Sequence, residues 1–136
     1  MNKCGVTATE FKLHPGESLI VKGTILSECK EFVINLGKDC DNLALHFNPR
    51  FDCKGDERAL VCNSKRAGVW EEEVRPSVFP FHQDHETQIT FSFIDHDIRV
   101  NMEGSEEIVF PNRLELNVID YLMVGGDFRI KSVTFP

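Results

Sequence analysis

Short apolar runs that alternate with polar residues, each closed by a turn signal, constrain this chain to antiparallel sheets more than any other feature does. In Gln88–Ile94, Ile89, Phe91 and Phe93 share one face and Thr90 and Ser92 the other, the period of two expected of a strand buried on one side. Similar runs occur at Ser18–Ile25 after the Pro15-Gly16 turn, Phe32–Leu36 before Gly37, Asn42–Asn48 before Pro49, and Ala59–Asn63 after Lys54-Gly55-Asp56. Val69–Arg75, Asp97–Met102, Glu107–Phe110 and Phe128–Phe135 complete the set, with Val6–Phe11 and Lys131–Phe135 read as terminal strands. About ten strands at this spacing predict an all-β fold, a sandwich or barrel, and exclude βαβ units. Leu114–Val124 has mixed apolar spacing and is the one stretch read as able to form a helical turn. No internal repeat or linker interrupts the pattern.

A chain of 136 residues is one domain, taken as residues 1–136. Its eleven Phe against one Trp and one Tyr predict an aromatic core packed between two sheets. Fifteen basic against 22 acidic residues give a net charge of −7, the wrong sign for tracking phosphates or anionic membranes, so no nucleic-acid partner is expected. No apolar run approaches the ~20 residues of a spanning helix, so no membrane insertion is expected either. The opening Met1–Phe11 lacks an apolar signal core. The five cysteines (Cys4, Cys29, Cys40, Cys53, Cys62) form no CxxC pair, and the simplest reading is free thiols in a reducing cytosol.

The chemistry concentrates in Leu43–Phe51. On a strand, Leu43, Leu45 and Phe47 point one way, while Ala44, His46, Asn48 and, if the extended form passes Pro49, Arg50 point the other. That second face carries an imidazole, an amide and a guanidinium at intervals of ~6.5–7 Å, a rigid row of directional donors and acceptors suited to the hydroxyls of a sugar. A solvated sheet face would show the same alternation. Asn63 falls at the end of the next strand, and the single Trp70 stands in the charged run Trp70-Glu-Glu-Glu-Val-Arg75. Core burial is the usual fate of a lone Trp; an exposed indole would instead stack on the apolar face of a sugar ring. Strict alternation places Trp70 and Glu73 on opposite faces, so a shared site needs a turn or bulge near Trp70.

His46-Phe-Asn-Pro-Arg-Phe51, Val61-Cys-Asn-Ser-Lys65, Trp70-x-x-Glu73-x-Arg75 and Val78-Phe-Pro-Phe81, in this order, strongly resemble the carbohydrate-recognition signature of the galectins. Lys12–Gly16, Ile34–Asp39, Phe110–Leu114 and Gly126–Phe128 also look like galectin landmarks, so the resemblance covers almost the whole chain. It implies a jelly-roll-like sandwich of two antiparallel sheets in a prototype, single-domain galectin. It further implies that His46, Asn48 and Arg50 read the axial 4-hydroxyl of galactose, that Asn63 and Glu73 hold the 6-hydroxyl, that Trp70 stacks on the ring, and that Glu73 and Arg75 reach the next sugar. Glu73 is expected to be the carboxylate shared by Arg50 and Arg75. Asp52 and Lys54 are the extended-site candidates. Lys54 stands where many relatives carry His, and Glu71 where Gly commonly follows the Trp; Cys53 and Cys62 fall close to the predicted site in sequence.

The implied partners are β-galactoside-terminated glycans of glycoproteins and glycolipids, crosslinked by a homodimer joined through the terminal strands, with the protein made in the cytosol and exported without a signal peptide. A glycosidase would need two carboxyls across the scissile bond, one with a raised pKa, whereas Glu73 beside Arg75 suits binding; no catalytic residues are assigned. His82-x-x-His85 and Asp95-His96-Asp97 are read as solvated loop residues, so no metal and no cofactor are expected.

Overall fold

A computed structural model describes residues 5–136; Cys4 and the rest of the first four residues lie outside the described residues. Among the described residues eleven strands run in chain order: β1 (Val6–Ala8), β2 (Ser18–Ile25), β3 (Phe32–Asp39), β4 (Asn42–Cys53), β5 (Asp56–Arg66), β6 (Val69–Trp70), β7 (Glu86–Ile94), β8 (Asp97–Met102), β9 (Ile108–Pro111), β10 (Tyr121–Gly126) and β11 (Phe128–Thr134). They form an antiparallel six-stranded sheet, β1-β10-β3-β4-β5-β6, and an antiparallel five-stranded sheet, β11-β2-β7-β8-β9. The two pack as a sandwich, since Phe47 of β4 meets Phe91 of β7 edge-on at 5.6 Å between ring centroids. Phe81, in the connection between β6 and β7, packs edge-on against both Phe32 and Phe47, and Phe32 stacks on Phe128 at 4.8 Å. The phenylalanine-rich composition is thus a core of interlocking rings, each adding to the simple gain from buried area.

Alternation is cleanest in β2 and β7, where Leu19, Val21, Ile25, Ile89, Phe91 and Phe93 are buried. Three sequence expectations are corrected. Leu114–Val124 forms no helix; turns lead to the single bridge of Ile119 with Leu13 and then into β10. Val69–Arg75 is not a continuous strand, because β6 stops at Trp70 and only Val74 pairs again, with Cys62.

The third concerns β4, which does not stop at Pro49 but runs on to Cys53. The β3/β4 register places Phe32 opposite Pro49, whose ring nitrogen has no hydrogen to donate. The Phe32 carbonyl instead accepts the side-chain amide of Asn48 at 2.8 Å. Asn48 therefore supplies the donor that Pro49 lacks, and the central strand passes the proline intact. Earlier in β4 the register slips between Leu43 and His46. Ala44 consequently joins the core and Leu43 lines the outer groove, the reverse of simple alternation. Gly37 permits this slip: a Cβ there would lie 2.4 Å from the Asn42 carbonyl oxygen.

Candidate functional site

The six-stranded sheet carries a groove of about 820 Å³ on its outer face, lined by His46, Asn48, Arg50, Asn63, Trp70 and Glu73, together with Glu31, Lys54, Lys65 and Glu71. Register builds it. Asn35, His46 and Asn63 stand opposite one another across β3, β4 and β5, and period two continues the β4 face through Asn48 to Arg50. Of the residues expected from sequence, Arg75 and Asp52 do not line the groove. Arg75 is joined to it through Glu73, and Lys54, itself on the lining, is ion-paired with Glu31.

His46 Nδ1 bonds Asn35 Oδ1 at 2.7 Å. An amide oxygen only accepts, so Nδ1 carries the proton and Nε2 remains an acceptor aimed at the groove. Burial first, then the Arg50 charge, pushes the imidazole pKa down to about 4. The ring is therefore neutral near pH 7, as an acceptor must be.

Arg50 donates from Nε to Asn48 Oδ1 (2.8 Å) and from Nη1 to Asp56 Oδ2 (2.8 Å). Arg75 reaches the same carboxylate at 2.8 and 3.3 Å and touches Glu73 at 3.1 Å. The shared carboxylate is therefore Asp56, not Glu73. The two-residue turn Lys54-Gly55, both at positive φ, folds β5 back on β4 and brings Asp56 beside Arg50. Hydrogen bonds from Arg75 and then Arg50 hold the Asp56 carboxyl below its usual range. Arg50 Nη2 makes no hydrogen bond among the described residues.

Asn48 is buried, and both its amide hydrogens are engaged, by the Phe32 carbonyl and by Glu31 Oε1 at 3.0 Å. The second oxygen of Glu31 takes the Lys54 ammonium. Burial pushes the Glu31 carboxyl up, but hydrogen bonds from Lys54 and Asn48 outweigh it and the pKa is lowered.

Trp70 is 47% exposed, so the indole is a platform and not a core residue. Its ring lies 4.6 Å from His46 between centroids, and Lys65 Nζ sits 4.8 Å from its centroid. The irregularity needed after Trp70 is present. Lys65 pairs with Trp70 and Cys62 with Val74, so one extra residue is accommodated within Glu71–Glu73, a bulge that returns Glu73 to the groove side. Arg113, beyond β9 of the other sheet, pins this segment by donating from Nη1 to the Glu72 carbonyl (2.8 Å) and Ser64 Oγ (2.9 Å). Asn63 Oδ1 accepts from the Ser64 amide (2.7 Å), and its Nδ2 donates to the Glu71 carbonyl (3.2 Å).

Cys29, Cys40, Cys53 and Cys62 are free thiols. Cys62 faces the core, where burial raises its pKa to about 12; Cys40, not singled out from sequence, is exposed and lines the groove. The His82 and His85 rings are 5.4 Å apart, and among the described residues no group of three or more His, Cys, Asp or Glu side chains is placed to hold a metal.

The profile of the galactoside-binding lectin family matches residues 5–135. The chain belongs to this family. It is a single-domain galectin of the prototype kind, 48% identical to bovine galectin-1 over 132 residues, which are 97% of this chain and 98% of the bovine one. Its fold superposes on CG-16, a homodimeric agglutinin from chicken liver, with a TM-score of 0.94 at 47% identity, covering 98% of this chain and 100% of that one. A toad ovary galectin in complex with thio-digalactose gives a TM-score of 0.93 at 39% identity, covering 97% and 98%. This galectin's polar support includes four residues that sequence reading missed: Glu31, Asn35, Asp56 and Arg113. Each acts across a strand pair or between sheets, so no local spacing marks it; only the turn at Lys54-Gly55 hinted at the return of Asp56.

Proposed function

We propose that this galectin binds β-galactosides of the lactose and N-acetyllactosamine type, and that it crosslinks glycoproteins and glycolipids as a dimer with no catalytic step. One observation carries the reading: unused polar valences of His46 Nε2, Asn48 Oδ1 and Arg50 Nη2 converge beside the exposed indole of Trp70. An axial hydroxyl placed among them accepts from Arg50 Nη2 and shares its single hydrogen between the two acceptors, His46 Nε2 and Asn48 Oδ1. The indole covers the apolar ring face below it. Asn63 Nδ2 and Glu73 then hold the 6-hydroxyl, while Glu73 and Arg75 meet the neighbouring glucose or N-acetylglucosamine. An equatorial 4-hydroxyl would leave these groups unpaired, which is how glucose is rejected. The complex of the toad galectin with a digalactoside supports the ligand class.

For assembly, β1 and β11 are the outer strands of the two sheets, edges that need covering, and the chicken neighbour is homodimeric. The free thiols support synthesis in a reducing compartment such as the cytosol. Titration calorimetry tests the site. Lactose binds the wild-type protein, and Arg50→Ala, which removes a charged donor and leaves Asp56 with Arg75 alone, weakens it by on the order of 10- to 100-fold. Wild-type affinity in Arg50→Ala would overturn the assignment.

A further inference from the structure

We propose that Glu31 is a positioning and specificity residue of the sugar site, acting through Asn48 to sharpen recognition of the galactose 4-hydroxyl. The proposal rests on the galactoside reading above. Glu31 lies just before β3, bridged to Arg50 across the sheet, and lines the groove on the side of β4 opposite Trp70. Its Oε1 accepts one hydrogen of the Asn48 amide while the Phe32 carbonyl takes the other.

With both hydrogens committed, the Asn48 amide cannot flip, and Oδ1 must face Arg50 Nε and the groove. A carboxylate on the N–H side also polarises the amide, so that Oδ1 becomes a stronger acceptor. The second Glu31 oxygen is tied to Lys54, which holds the carboxylate in place and keeps it from turning to the ligand. Lys54 thus acts on the site through Glu31, besides standing at its rim. The 4-hydroxyl is the group that meets Asn48 Oδ1, so the effect falls on that contact and not on sugar binding in general.

The test is a cycle between protein and ligand: methyl β-lactoside and its 4′-deoxy analogue, each titrated calorimetrically into wild type, Glu31→Ala and Glu31→Gln. In wild type the deoxy analogue binds far more weakly. Glu31→Ala is expected to weaken the lactoside by about five- to tenfold, the consequence of an unpaired Asn48 donor, while changing the deoxy analogue little, so that the penalty for losing the 4-hydroxyl shrinks. Glu31→Gln keeps an acceptor for Asn48 and is expected to restore most of the affinity. Equal losses for both ligands in Glu31→Ala would overturn the proposal, since a general structural role predicts that pattern. If Glu31→Ala does not fold, ¹⁵N spectra of the Asn48 side-chain amide decide: Glu31→Gln must shift one of its two proton resonances, and an unshifted pair overturns the bond. Failure of wild type to bind the lactoside at all would instead sink the galactoside reading.

Discussion

At the scale of single residues, the neutral state of His46 is the condition on which its acceptor role depends. Its pKa is about 4 in the fold against the ordinary 6.5. Between those values the unfolded chain binds a proton at this position that the folded chain does not, so stability falls as pH is lowered from about 6.5 to about 4 and then levels. Thermal melts at several pH values should show this decline, with a shallower slope in His46→Gln. Lactose affinity should stay level down to about pH 5 and drop only as the ring charges near 4. A drop centred near 6.5 would contradict the neutral, Asn35-bonded ring. The row His46, Asn48, Arg50 was legible from alternation alone, because each lies two residues from the next. The partner of Arg50 was not: choosing Asp56 over Glu73 depends on where a hairpin returns, and both carboxylates are within a plausible span of the chain.

At the scale of elements, the bulge in Glu71–Glu73 joins the indole to the rest of the site. Alternation correctly demanded an irregularity after Trp70 but could not place it, since its position follows from Val74 pairing with Cys62 in core register. Deleting Glu72 would remove the extra residue and the carbonyl that Arg113 holds, while strict period two would keep Glu73 on the face of Trp70, now only two residues from it. With the segment no longer held by Arg113, the expected outcome is lactose binding weakened by on the order of tenfold, with a retained β-sheet circular dichroism spectrum and cooperative unfolding; full binding in the deletion would show that the bulge is dispensable. Strand existence was legible because the apolar faces are needed to build the core. The passage of β4 through Pro49 and the exchange of Leu43 and Ala44 were hidden. Both depend on cross-strand partners, a side-chain amide in one case and the bare Cα of Gly37 in the other.

At the scale of the whole molecule, the first and last described segments meet: Phe11 and Phe135 lie 4.8 Å apart between ring centroids, with β1 and β11 outermost on their sheets. A two-fold pairing along these edges would leave the groove of each subunit free, giving a bivalent lectin. Val6, half exposed on β1, is the place to break it. Sedimentation should find dimers of wild type at tens of micromolar and monomers of Val6→Lys, with lactose affinity per site unchanged and agglutination lost; a monomeric wild type would refute the dimer alone. The central claim, a galactose-reading groove with Trp70 as its platform, has a more direct test. Because the chain has one Trp, its fluorescence reports that site only. Titration with lactose should give a saturable change in emission, and maltose, whose terminal 4-hydroxyl is equatorial, none. Equal responses to both sugars, or none to either, would contradict the account.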